Sequence, residues 1–263
     1  LIKNAEDNEY NSIEESAEEP CIKFSIHPDR IVVENNEHGF SVEDFESICK
    51  VGVSTKKRNA SHYYIGDKGV GFKSVFYVAS KVCIQSGPFS FSFEQPSLYD
   101  ASGMGMITPV QFVSEEPLQL PVTKITLMLR DHVNGEEVDK DFFQELPDTL
   151  LLFTKKLKKV VITKYDATGA VSRYTVYTWN CDKNQTVTLT KVCQSGNAPP
   201  ETSVSRFFTA KMQLTNLPGD GYRDDSTVEL ALAFPVDGND VPVIGAQGIH
   251  KYFPIRRSAF PVS

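Results

Sequence analysis

The chain has 263 residues, 40% of them apolar, 11% aromatic and 23% charged, the composition of a folded protein with a buried core, which excludes disorder as the overall description. Twenty-seven basic residues against 34 acidic ones leave a net charge of −7; that excludes a general electrostatic grip on phosphate backbones, so no direct nucleic-acid partner is expected. No apolar run approaches the ~20 residues that cross a bilayer and no signal pattern opens the chain, so the expectation is a soluble intracellular protein with no membrane partner.

Leu1 to Ala5 reads as a helix already under way, which suggests a fragment of a longer protein. The acidic run Glu14 to Glu19 reads as a solvated loop closed by Pro20. Cys21 to Ile26 alternates apolar and polar residues, His27-Pro28-Asp29 interrupts, and Ile31-Val32-Val33 is β-branched throughout, so the two stretches predict a β-hairpin. Ser41 and Asp44 have the spacing of a capping box, and Phe40 and Phe45 that of a hydrophobic staple, so a helix should begin near Val42. Phe72, Val75, Phe76 and Ala79 recur at i, i+3, i+4 and i+7, one face of a further helix. Strands are expected at 82–85, 89–93, 106–112 and 122–129. Phe142 to Leu146 and Asp148 to Lys158 read as two helices, the second ending in lysines that suit a helix C-terminus. Val160 to Tyr165 and Val171 to Trp179 flank Asp166-Ala167-Thr168-Gly169 as a hairpin. Strands at 205–215 and 227–236 complete a mainly antiparallel region. Gly135 marks the expected division into domains 1–135 and 136–263. The five cysteines form no Cys-x-x-Cys pair and have no histidine at metal-ligand spacing, which fits reduced thiols inside a cell.

Three segments carry chemistry. Gly66-Asp67-Lys68-Gly69-Val70-Gly71-Phe72-Lys73-Ser74 is a glycine-rich loop running into an amphipathic stretch, and a flexible backbone with free N–H groups suits an anion such as phosphate, or else simply permits tight packing. It is not a Walker loop: Phe72 intrudes before Lys73-Ser74, and one inserted residue turns the lysine by about 100° around a helix. Asn4 and Asp7 stand at i, i+3 on one helix face, where an amide oxygen can ligate Mg²⁺ and a carboxylate can support it, although a solvated polar face has the same pattern. Glu34-Asn35-Asn36-Glu37-His38-Gly39-Phe40 is a polar turn between a buried strand and a capped helix, where an acidic or amide side chain can hydrogen-bond an adenine edge and Gly39 allows close backbone approach, although taken alone it has the pattern of an ordinary loop.

In this order the segments resemble the boxes of the GHKL superfamily (gyrase, heat-shock chaperone, histidine kinase, mismatch-repair protein) and, within it, its sacsin and No Vein-like branch. Leu-Ile-Lys-Asn-Ala-Glu-Asp at 1–7 is similar to the first box, Asn35 to Phe40 to the second, and Thr123-Lys124-Ile125 to the last, while Ile48 to Lys56 and Tyr64 to Phe76 resemble that branch in particular. The resemblance implies an α+β fold: a two-layer α/β sandwich of Bergerat type, with a mixed, mainly antiparallel sheet covered by helices on one face, followed by a smaller region of helix and antiparallel β. It implies ATP and Mg²⁺ as cofactors. Asn4 would ligate the metal and Asp7 support it. Asn35 would stand where the family's adenine-reading Asp does, and Gly39, with Phe40 beside it, would neighbour the base. Gly66 would open the phosphate loop, Gly69, Val70, Gly71 and Phe72 would wrap the phosphates, and Thr123 would join the adenine network. Residues 53–66 would form a lid. The family's general-base Glu would precede Leu1, so no catalytic residue is assigned, and hydrolysis of ATP to ADP and phosphate is expected only in an intact parent. The implied partners are ATP or ADP, other domains of that parent, and protein clients. The alternative, motivated by Asn35 in place of Asp and by the missing Glu, is a degenerate scaffold that binds proteins without nucleotide. Arg256 and Arg257 read as solvated or interface residues rather than γ-phosphate ligands.

Overall fold

The computed structural model describes residues 1–10, 18–49, 71–95, 104–113, 123–215, 227–243, 246–251 and 253–261. A short helix, α1 (Ile2–Asp7), precedes the antiparallel hairpin of β1 (Cys21–Ile26) and β2 (Arg30–Asn35). Period-two alternation puts Ile22, Phe24, Ile26, Ile31 and Val33 on one buried face. Helix α2 (Val42–Ile48) starts where its capping box dictates: the Ser41 hydroxyl accepts from the Asp44 N–H at 3.1 Å and the Asp44 carboxylate from the Ser41 N–H at 3.0 Å. Phe45 carries α2 onto the sheet, stacked on Phe89 and edge-on to Phe91 with ring centroids 5.2 and 4.9 Å apart.

Residues Phe72–Tyr77 form a 3₁₀ helix instead of an α-helix. Val75 and Phe76 are buried within it; of the other two residues of the expected face, Phe72 is half-buried and Ala79, though buried, already belongs to the following strand. The helix stops because its carbonyls are claimed from outside: Arg130 donates from Nε and Nη2 to the Phe76 oxygen at 3.2 and 2.9 Å, and its N–H to the Val78 oxygen at 3.0 Å. There follow β3 (Ala79–Ser86), β4 (Phe89–Glu94), β5 (Val110–Gln111) and β6 (Thr123–Leu129), then α3 (Gly135–Val138) running into a π-turn at Asp139–Phe143. The rest is β: β7 (Lys159–Tyr165), β8 (Val171–Cys181), β9 (Thr186–Ser195), β10 (Glu201–Thr215), β11 (Thr227–Val236), β12 (Ala246–Lys251) and β13 (Phe253–Pro261).

The strand order corrects the expected fold class. Instead of a two-layer α/β sandwich of Bergerat type with one helix-covered face, the strands hydrogen-bond into one eleven-stranded mixed sheet, β11-β10-β9-β8-β7-β1-β2-β6-β3-β4-β5. Among the described residues the α-helices are three, of six, seven and four residues. One missing helix has a clear physical cause. The stretch 148–158, expected to be helical, is a series of turns, because the N–H groups of Lys155, Lys156 and Leu157 are taken by the Glu6 carboxylate and those of Lys158 and Lys159 by the Pro20 carbonyl. Three successive leucines, Leu150 to Leu152, are all buried, which no single helix face allows.

The chain divides into two compact units, the first of residues 1–146, 155–176 and 193–200, the second of 147–154, 177–192 and 201–263. In the first, β1 pairs antiparallel with β2 and parallel with β7, from Cys21↔Lys159 to Ile26↔Lys164. Gly135 lies against the hairpin turn, where a side chain would collide with the His27 carbonyl. Asp139, fully buried, is ion-paired with Arg173 and Lys164 and accepts from Gln144 Nε2 at 2.9 Å. In the second unit, β10 and β11 pair along ten register positions, β12 and β13 form their own two-stranded sheet, and the Lys191 ammonium, with Ser203, holds the Asp148 carboxyl below the usual range. Among the described residues no helix is long and apolar enough to cross a membrane.

Candidate functional site

Register aligns side chains of the first unit into rows across neighbouring strands. Ile26, Ile31, Leu127 and Val82 form one row, and Phe24, Val33, Ile125 and Ile84 the next along the same face. The following row reads Ile22, Asn35, Thr123, Ser86 and Phe89. An apolar face therefore ends in three polar side chains side by side, and all are buried: Asn35 is 7% exposed, Thr123 3% and Ser86 0%. Burying three such groups is costly unless each finds a partner. Ser86 Oγ and Thr123 Oγ1 lie 2.5 Å apart, and the Phe40 N–H donates to Ser86 Oγ at 2.8 Å. Two hydroxyls carry two protons and only one is used between them, so the pair retains a donor for a further acceptor.

Gly39 brings Phe40 to this row. Its φ of +94° lies where side-chain-bearing residues rarely go, whereas a Cβ there would meet Ser86 Oγ and the Gly87 nitrogen only at ordinary contact distances of 3.5 and 3.6 Å. Glycine is thus required for conformation and not for space. The two adjacent asparagines have separate tasks. Asn36 ties down the start of β1, accepting from the Cys21 N–H at 2.7 Å and donating to the Glu19 carbonyl at 2.9 Å. Asn35 faces the polar row, and its amide oxygen lies 3.0 Å from the buried Tyr10 hydroxyl, itself 2.7 Å from the Ala5 carbonyl.

Asn4 and Asp7 share α1, Asn4 partly exposed and Asp7 buried. Glu6, between them, is committed elsewhere: its carboxylate accepts from Lys155 N at 2.7 Å, Leu157 N at 2.9 Å and Lys156 N at 3.3 Å. Among the described residues no cluster of three or more His, Cys, Asp or Glu could hold a metal. The donor chemistry still fits Mg²⁺, which keeps waters and phosphate oxygens and takes only one or two protein ligands, for which the Asn4 amide oxygen is a suitable type.

Gly71 is exposed and Phe72 half-buried; Gly66, Gly69, Val70 and the stretch 53–66 lie outside the described residues. The Lys73 ammonium donates to the carbonyls of Ile48, at 2.6 Å, and Met106, and sits 4.3 Å from the centre of the Phe93 ring. Burial lowers its pKa to about 8. Arg256 and Arg257 belong to β13.

The site thus brings together Asn35, Gly39, Phe40 and Thr123 from the sequence reading, and adds Ser86 and Tyr10, which that reading did not single out. No local pattern marks either. A Ser before Gly87-Pro88 looks like a turn residue, and Tyr10 follows a helix with no spacing to Asn35.

No family model matches the chain. It is 32% identical over 259 residues to Protein NO VEIN of Arabidopsis thaliana, a match covering 90% of this chain and 8% of that protein. It is 27% identical over 176 residues to Chaperone protein HtpG of Wigglesworthia glossinidia brevipalpis, covering 60% of this chain and 26% of that one. The chain therefore spans a small part of the length of either relative.

Proposed function

We propose that the chain is an ATP-binding domain of the GHKL type within a sacsin- or No Vein-like intracellular protein, with Mg²⁺ as the companion ion. The observation that carries this reading is the polar row. Asn35 and Thr123 are direct cross-strand neighbours, so their Cβ atoms are roughly 4.5–5.5 Å apart, and together they offer the acceptor and the donor that the amino and ring-nitrogen edge of adenine requires. Similarity to NO VEIN and to a chaperone supports the same reading.

In this reading Phe40 and the Gly39 backbone flank the base, Gly66, Gly69, Val70, Gly71 and Phe72 meet the phosphates, and Asn4 holds Mg²⁺ with Asp7 in support. The metal, when bound, neutralises phosphate charge. Glu6 is not a base for hydrolysis, since its oxygens already accept backbone N–H groups. Binding is the activity proposed for this chain; nucleotide occupancy then governs the lid at 53–66 and the arrangement of neighbouring domains, through which protein clients are engaged.

Isothermal titration calorimetry with ATP tests the reading. Saturable binding is expected, weakened by chelation of Mg²⁺ and by Asn4→Ala. Thr123→Val should weaken it about 5- to 30-fold through one lost buried hydrogen bond. No saturable binding at millimolar ATP refutes the reading and leaves the nucleotide-independent scaffold.

A further inference from the structure

The Tyr10 hydroxyl presents a problem of proton count. It lies 2.7 Å from the Ala5 carbonyl oxygen and 3.0 Å from the Asn35 amide oxygen. Both are acceptors, and a phenol has one proton. The Ala5 carbonyl can only accept, and its contact is the shorter. The remaining partner has to donate if the hydroxyl lone pair is to be used, and an asparagine amide can do so. A 180° turn of the amide exchanges oxygen and nitrogen without moving either position appreciably.

We infer that Tyr10 is a positioning residue that fixes the Asn35 amide with Nδ2 donating to the tyrosine oxygen and Oδ1 presented to the polar row, and thereby selects a 6-amino purine over a 6-oxo purine. This rests on the nucleotide reading above and adds to it which base the site takes and what enforces the choice. Left to itself an amide is an ambiguous reader, because it turns to offer an acceptor to an exocyclic amine or a donor to an exocyclic oxygen. A carboxylate has no such freedom. Tyr10 removes it from the amide, since the turned state would set two acceptors against one proton in a site where Tyr10 is 9% and Asn35 7% exposed. Burial, with the Glu37 and Glu6 carboxylates adding to it, raises the Tyr10 pKa well above the ordinary tyrosine value. The hydroxyl keeps its proton at any physiological pH, and Ala5, on α1, keeps receiving it.

The test compares ATP with ITP, which differ in the 6-amino against the 6-oxo group, by calorimetric titration of the full chain. Wild type should favour ATP by about 10- to 100-fold, the cost of opposing two acceptors in a buried site. In Tyr10→Phe the preference should fall to about 3-fold or less, because the amide then turns freely. In Tyr10→Phe with Asn35→Asp it should return, since both carboxylate oxygens accept. A purely structural role for Tyr10 would weaken both nucleotides alike and leave the ratio unchanged; that result overturns the inference and leaves the nucleotide reading standing. No saturable binding of either nucleotide by wild type overturns the nucleotide reading and the base preference together. A further readout needs no variant and no nucleotide. In wild type one Asn35 Nδ2 proton, donated to a buried oxygen, should exchange slowly with solvent in ¹⁵N-resolved NMR spectra, and rapid exchange of both protons would show the amide oxygen on Tyr10 and overturn the orientation itself.

Discussion

Replacing Glu6 by glutamine should be among the most damaging conservative changes in this chain. The Glu6 carboxylate is 7% exposed, with Oε1 2.7 Å from Lys155 N and Oε2 2.9 Å from Leu157 N, and with Lys156 N 3.3 Å from both. Glutamine preserves the shape but turns one oxygen into an NH₂ group facing a backbone N–H. One charge-assisted hydrogen bond worth about 1.5–3 kcal/mol is lost, and a buried N–H is left unpaired at about 1–3 kcal/mol more. Together they predict a loss of about 2.5–6 kcal/mol. In urea titration followed by far-UV circular dichroism this appears as a midpoint lowered by about 1–3 M at an unchanged slope of about 2–3 kcal/mol/M. Lys156→Ala is the control, because it removes only an exposed contact of the ammonium with the Asn8 carbonyl and should stay within about 0.5 kcal/mol of wild type. A Glu6→Gln protein equally close to wild type would refute the reasoning, showing that water and not the carboxylate satisfies these N–H groups.

Gly39→Ala should cost about 1–2 kcal/mol through its φ of +94°, and by displacing Phe40 from Ser86 it should also weaken ATP, both read in one thermal-shift titration. Arg173→Met should destabilise by about 3–5 kcal/mol, because Asp139 is fully buried and loses a principal counter-charge; chemical denaturation measures it. Lys73 carries a pKa lowered to about 8 by burial, so between that value and its unfolded pKa near 10.5 the unfolded chain binds the extra proton. Stability relative to Lys73→Met should therefore rise as pH increases across that window and stay at its lower level below pH 8; a flat difference would show that the ammonium is solvated.

What was legible in the sequence was local or motif-borne. The capping box of α2 spans three residues, and Ser41 and Asp44 hydrogen-bond as their spacing requires. The hairpin from Cys21 to Asn35 forms because alternation and the Pro28 break lie side by side in the chain. Asn35 and Thr123 were named from separate motifs, and register makes them neighbours. Ser86 escaped because its significance comes from β3 pairing with β6, a choice made between strands far apart in sequence. The lysine-rich end of 148–158 suggested a helix terminus, but a carboxylate on α1 took the N–H groups, a tertiary contact that outweighs a local propensity. The fold class went wrong for a related reason. The order of motifs along a chain says little about how many strands join the sheet around them.

The parallel pairing of β1 with β7 has a consequence for how the protein is made. Cys21 waits for Lys159, about 140 residues of chain, which at ribosomal speeds of about 5–20 residues per second is on the order of 10–30 s. Throughout that interval β1 has its hairpin partner on one side and an open hydrogen-bonding edge on the other, a template for pairing with any neighbouring nascent chain. The nascent protein is thus most prone to aggregate before β7 emerges, and a chain cut at residue 135 would keep that edge open permanently, with Glu6 deprived of all three of its partners.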